Sequence, residues 1–208
     1  PRFGFAPALS ATAWLVLMVY TLEHHWFPQM KTRWVLSGAG LVAVTLPLFF
    51  PGHDLHAAAS LWLPLHWALG MASYALFAAA VVHASLMNRA ERQIRLGAID
   101  PSGLPLLTLE RLTFRFVNIG FGLLTATLLA GWLFGEQLYE AGKAFRLDHK
   151  TLFAILAWLV FLLLIWGRRY RGWRGAPAVR TLYTGAAMLF LSYAGSRFVT
   201  EVFLHRNQ

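Results

Sequence analysis

Apolar residues fall along this chain in long blocks, not in the alternating or one-faced patterns of a water-soluble domain. Six blocks stand out: Phe5 to Leu22, Trp34 to Phe50, Leu61 to Met87, Thr113 to Gly135, Thr151 to Gly167 and Leu182 to Phe203. About 20 apolar residues wound as an α-helix match the hydrocarbon thickness of a bilayer, about 30 Å. In lipid a helix satisfies every backbone N–H and C=O within one segment. The pattern therefore predicts an all-α, polytopic transmembrane helix bundle of about six spans, a single domain over residues 1–208. Trp26, Trp34, Trp62, Trp132, Trp166 and Trp173 fall near the block ends, where interfacial aromatic belts place them.

Two connections are longer than turns. Between the third and fourth blocks the sequence predicts a short charged helix, NRAERQIRLG, then a turn at AIDPSG. PLLTLERLTFR follows, whose Pro and Thr start signals lead straight into the fourth span. Before the fifth block, GEQLYEAGKAFRLDHK mixes charges with Leu138, Phe145 and Leu147 and suits a short helix lying on the interface. Pro1 precedes an apolar block without a charged n-region or a cleavage site. Residues 1–22 are therefore expected to be a span and not a signal peptide, with an amino-terminal portion of the full protein before it.

Composition sharpens this picture. Charged residues make up 13% of the chain, against roughly 25% in soluble domains, which excludes a soluble reading. There is no Cys, so structural disulfides, thiolate metal sites, thiol nucleophiles and CxxCH haem attachment are all excluded. The formal charge is +9, but the arginines cluster at block ends, as attraction to membrane lipid head groups and the positive-inside rule require, so no nucleic-acid partner is expected. Loops joining blocks one to two, three to four and five to six hold twelve Lys and Arg, and the opposite side holds six. The basic loops should face the cytoplasm, leaving both ends of the chain, His53, His56 and His149 on the outer side.

Ionisable residues inside a span are costly and call for an explanation. His66 and His83 share the third block, 17 residues and about 25 Å apart, too far to share a ligand. His66, Gly70, Ser73, Tyr74 and Phe77 form a stripe that would admit a neighbouring helix or a flat cofactor, and Asn118, Gly120 and Gly122 form another. His56 precedes the third block and His149 the fifth, so imidazoles from two helices at one depth can coordinate a single iron axially. Solvated loop histidines or a His-based copper or zinc site fit the same spacing. Arg197 and Glu201 are four apart and can pair. Asp148 can orient His149 or cap the fifth helix. RGWRG, with Arg171, Trp173 and Arg174, forms a turn suited to lipid phosphate or a partner's carboxylate. Hydrolase, metalloprotease and nucleotide-binding motifs are missing, and the acidic residues fall nearly all in loops, so no enzymatic role is expected.

Four segments carry a family resemblance: LHWALGMASYALF at Leu65–Phe77, LLTLERLTFRFVNIGFGLLTATLLAGWLFG at Leu106–Gly135, DHKTLFAILAWLVFLLLIWGRRYRGWRG at Asp148–Gly175, and LSYAGSRFV at Leu191–Val199. In these, Pro51 to His205 resembles the cytochrome c assembly family of membrane proteins, in its YpjD and HemX-like branch. The resemblance implies an inner-membrane protein of haem handling, with His56 and His149 at the positions of outward-facing axial histidines and His66 at that of a membrane-embedded one. Haem-pathway or cytochrome maturation proteins are the implied partners. The tryptophan-rich WWD signature of the haem-delivery branch is absent, so the resemblance carries haem handling and not delivery to apocytochrome. The leading expectation is a haem-binding membrane protein with iron between His56 and His149. A cofactor-free membrane regulator of haem synthesis, acting through a cytoplasmic partner at Asn88–Arg115 or RGWRG, is the alternative. A small transporter using the His66 and Asn118 face is the third.

Overall fold

The computed structural model describes residues 2–3, 5–26, 33–49, 53–54, 62–97, 105–134 and 149–192. Six helices account for nearly all of them: α1 (Phe5–Trp26), α2 (Arg33–Phe49), α3 (Trp62–Arg95), α4 (Leu106–Leu133), α5 (His149–Arg171) and α6 (Ala176–Phe190). The helical membrane bundle expected from the apolar blocks is the architecture found. The stretches Ala6–His25, Leu63–Arg95, Leu106–Leu133 and Lys150–Arg171 are long and apolar enough to cross a membrane. Within the described residues α2 has 17 residues and α6 has 15. The later part of the sixth predicted span, residues 193–203, lies outside them. Besides the helices, the described residues include an antiparallel contact between two-residue strands, β1 (Arg2–Phe3) and β2 (His53–Asp54), which brings the start of α1 to the end of α2.

Several boundaries differ from the apolar blocks because a helix stops where its backbone is broken and not where its side chains turn polar. NRAERQIR is the continuation of α3 and not a separate helix. It contains neither Pro nor Gly, and Arg95 pairs with Glu91 one turn back. The helix ends only at Gly97, whose φ of 67° is left-handed and whose N–H donates to the Ile94 carbonyl. At 34 residues α3 is about 51 Å long, so its arginine-bearing turns extend past an apolar layer of about 30 Å. PLLTLERLTFR does run into the fourth span as expected, with Leu109 N–H donating to the Pro105 carbonyl in the first turn. Helix α6 starts at Ala176, six residues before the apolar block, with Pro177 in the first turn where a missing N–H costs nothing. Likewise α1 continues past Leu22 to Trp26.

Helix α3 is the hub, packed against α1, α4 and α6, while α5 packs against α4 and α6. The close approach of α3 and α4 follows from small residues. Ser73 Oγ donates to the Gly120 carbonyl at 3.1 Å, and a Cβ on Gly120 would already stand 3.4 Å from the Phe77 ring. The stripe from Gly70 to Phe77 is thus filled by a neighbouring helix and not by a flat cofactor. Phe77 stacks on Phe161 of α5 with ring centroids 3.8 Å apart, and Phe161 in turn lies on Gly185 of α6. Tyr74 Oη donates to the Leu189 carbonyl, Trp158 Nε1 to Thr125 Oγ1 and Ser192 Oγ to the Lys150 carbonyl. Such interhelical bonds are worth about 0.6 kcal/mol each in membrane bundles, so apolar packing around Phe77, Phe161, Leu164 and Leu182 contributes more to holding the helices together.

Candidate functional site

The antiparallel register of α3, α4 and α5 sorts the ionisable residues to two ends of the bundle. His66 of α3 lies against Gly131 of α4, whereas His83, further along α3, meets Phe116 of α4 with ring centroids 5.4 Å apart. On the other flank Trp158 meets Thr125, and Arg168 meets Glu110. His66, the end of α4 and the start of α5 at His149 therefore share one end. His83, Glu110, Arg168 and the RGWRG turn share the other.

At the first end, His66 is half-buried in the second turn of α3. A Cβ on Gly131 would stand 3.4 Å from its Cε1. Its buried Nδ1 has no hydrogen-bond partner among the described residues. His149 is the first residue of α5, but its side chain lies outside the described residues, as do His56, Asp148, Arg197, Glu201 and the GEQLYEAGKAFRLDHK helix apart from its last two residues. His53 is described only as a backbone partner of Phe3. The expected iron ligation by His56 and His149 therefore falls on positions of which the structure says nothing. Among the described residues no group of three His, Asp or Glu side chains could hold a metal ion. The donor that is described fits an imidazole-ligated group in kind: His66 has a buried Nδ1 without a hydrogen-bond partner among the described residues.

The second end contains residues that the apolar blocks did not mark. Because α1 continues beyond Leu22, Glu23 is inside the bundle, 4% exposed, with its carboxylate Oε2 3.2 Å from His83 Nε2. The approach is an ion-pair contact without hydrogen-bond geometry, since neither Glu23 oxygen nor His83 Nε2 has a hydrogen-bond partner among the described residues. His83 Nδ1 lies 2.8 Å from the Ala79 carbonyl one turn earlier. Arg168 donates to Glu110 at 2.9 Å and its guanidinium lies 3.5 Å from the centroid of the Phe114 ring, a cation–π contact. Arg174 stands 4.0 Å from the same carboxylate. Phe114, Asn118, Ile165, Arg168 and Arg169 line a cavity of about 440 Å³ beside this cluster.

In the RGWRG turn, Gly172 and Gly175 both have positive φ, 65° and 58°, which lets the chain reverse directly after α5. Trp173 does not point outward with its neighbours. Its N–H donates to the Gly167 carbonyl and its indole covers Gly167, while Arg174 is exposed and Arg171 lies over Trp166.

Three sequence expectations change here. Glu23 lies within α1 and is buried in the bundle, so the acidic residues are less confined to loops than the blocks implied. His66 and Asn118 do not share a face: His66 meets Gly131, and Asn118 lies thirteen residues or about 20 Å away along α4, facing outward. Gly120 is buried whereas Gly122 has open space around it, so those two are not one stripe either. The signal that could have found Glu23 was His83 itself, because a buried imidazole in a span demands a partner on a neighbouring helix.

Fold and residues together define a polytopic helical membrane protein with a histidine-bearing end and an arginine–carboxylate end. The chain belongs to the cytochrome c assembly protein family, whose model matches residues 2–204. It is 31% identical over 171 residues to the inner membrane protein YpjD of Escherichia coli (strain K12), covering 81% of this chain and 64% of that protein. It is also 31% identical over 88 residues to the cytochrome c biogenesis protein CcsA of Nostoc punctiforme, covering 42% of this chain and 24% of that protein. Another CcsA, from Prochlorococcus marinus, is 23% identical over 96% of this chain and 73% of that protein. The chain thus spans less than two thirds of the length of the YpjD protein it matches. No solved structure matches it.

Proposed function

We propose that this chain is a non-enzymatic haem-handling part of a bacterial inner-membrane protein of cytochrome c biogenesis. What carries the reading is the family match over residues 2–204, joined to a cysteine-free sequence in which imidazole is the available strong ligand for iron. Bound haem would supply an iron for imidazole ligation. His56 and His149 are the residues proposed to hold it at the outer leaflet, and His66, whose buried Nδ1 has no partner among the described residues, is proposed as a membrane-embedded contact at the same end. The YpjD relative is named for the inner membrane and the CcsA relatives for cytochrome c biogenesis, and the excess of Lys and Arg on one side supports placing the arginine-rich end in the cytoplasm.

The test is a visible spectrum of the protein purified from cells supplied with haem precursor. A Soret band lost in His56→Ala and His149→Ala supports the ligand assignment. Haem that persists in both variants overturns that assignment and leaves the class intact. A second reading, a regulator of haem synthesis that binds a cytoplasmic partner without cofactor, is favoured by the outward arginines of the α5–α6 turn. It predicts no Soret band and a co-purifying protein lost in Arg171→Ala with Arg174→Ala.

A further inference from the structure

Glu23 and His83 face each other across the seam between α1 and α3, and their geometry constrains where hydrogen can be. A backbone carbonyl only accepts, so the 2.8 Å contact to Ala79 puts a hydrogen on His83 Nδ1. A neutral ring then presents a bare lone pair at Nε2, and that atom faces the Glu23 carboxylate at 3.2 Å. Two acceptors would meet there with a net negative charge. The side chains are 6% and 3% exposed, and burial of an uncompensated charge is strongly unfavourable. Among the described residues no Lys or Arg makes an ion pair with Glu23. Tyr20 and His24 stack beside Glu23 on α1, Phe116 covers the imidazole from α4, and among the described residues the ion-pair contact of Glu23 is with His83.

We propose that Glu23 and His83 form a binding site for a single proton, and that this proton holds α1 against α3. With the proton on either partner the pair is uncharged overall, as carboxylic acid with imidazole or as carboxylate with imidazolium. Without it, α1 can keep its place only by burying a bare charge. Proton binding and docking of α1 are then linked, each favouring the other by the same free energy. The device lies at the bundle end opposite His66 and is independent of any haem reading.

The test uses the whole protein in lipid nanodiscs at neutral pH, with carbon-13 glutamate for infrared spectroscopy and nitrogen-15 histidine for magnetic resonance, Glu23→Gln and His83→Gln serving as assignments. The expected result is a protonated carboxyl band that disappears in Glu23→Gln, or an imidazolium signal that disappears in His83→Gln. An ionised Glu23 beside a neutral His83 overturns the proposal. Hydrogen exchange of α1 gives a second readout. Glu23→Gln, whose amide can donate to Nε2 without a proton, should leave α1 protected, whereas Glu23→Ala, which strands Nε2, should speed its exchange about tenfold. Equal exchange in the two variants would show that α1 docks without the bound proton. If Glu23→Ala does not insert, loss of protection in Glu23→Gln relative to the native chain overturns the latch by itself.

Discussion

The Arg168 guanidinium donates to Glu110 Oε1 at 2.9 Å while lying over Phe114, so one cation ties the last turns of α5 to the first turns of α4. Both side chains are partly buried, with 25% and 17% exposure, so the pair is less screened than an ordinary surface ion pair.

Removing the carboxylate should therefore be felt. Glu110→Ala leaves a partly buried guanidinium with only a ring for company and is expected to cost about 1–2 kcal/mol. Glu110→Gln, which keeps an acceptor, should cost less than half of that. Thermal unfolding in detergent, followed by circular dichroism in low and high salt, measures both.

Trp173 depends on the missing side chain of Gly167. A Cβ there would lie 2.5 Å from the indole, so Gly167→Ala should expel Trp173 from the end of α5. Exposure of one tryptophan to a soluble fluorescence quencher reports it, with Trp173→Phe identifying the signal. The expected loss of stability is about 1–3 kcal/mol, the range for overpacking.

Gly185 plays the same part at the centre of the core, where a Cβ would stand 2.7 Å from Phe161. Phe161 is wedged between Gly185 and Phe77 and cannot retreat without giving up its stack. Gly185→Ala should consequently separate α5 from α6 and lower the unfolding temperature by several degrees. Gly122→Ala, made where there is open space, should be within about 0.5 kcal/mol of the native chain.

Orientation can be read with single cysteines, since the native chain has none. With the arginine-rich end in the cytoplasm, Arg92→Cys and Arg174→Cys should resist a membrane-impermeant maleimide in intact cells and react after lysis. Labelling of both from outside would reverse the proposed topology.

Much of this protein was legible without a structure. Long uncharged blocks can be stable only as helices in lipid, because the bilayer offers backbone groups no other partner, and that alone determined the class and the helical membrane fold. The histidine positions and the basic loops were also readable, since both depend on residue type and sequence spacing. The tertiary structure decided where helices stop and what meets across them. Glu23 and Glu110 entered helices because nothing in the backbone broke them, and each found its partner, His83 and Arg168, on another helix, 60 and 58 positions away in sequence. No one-dimensional pattern carries that pairing. It is set by how the helices pack against one another, and a contact between helices depends on the shapes of both.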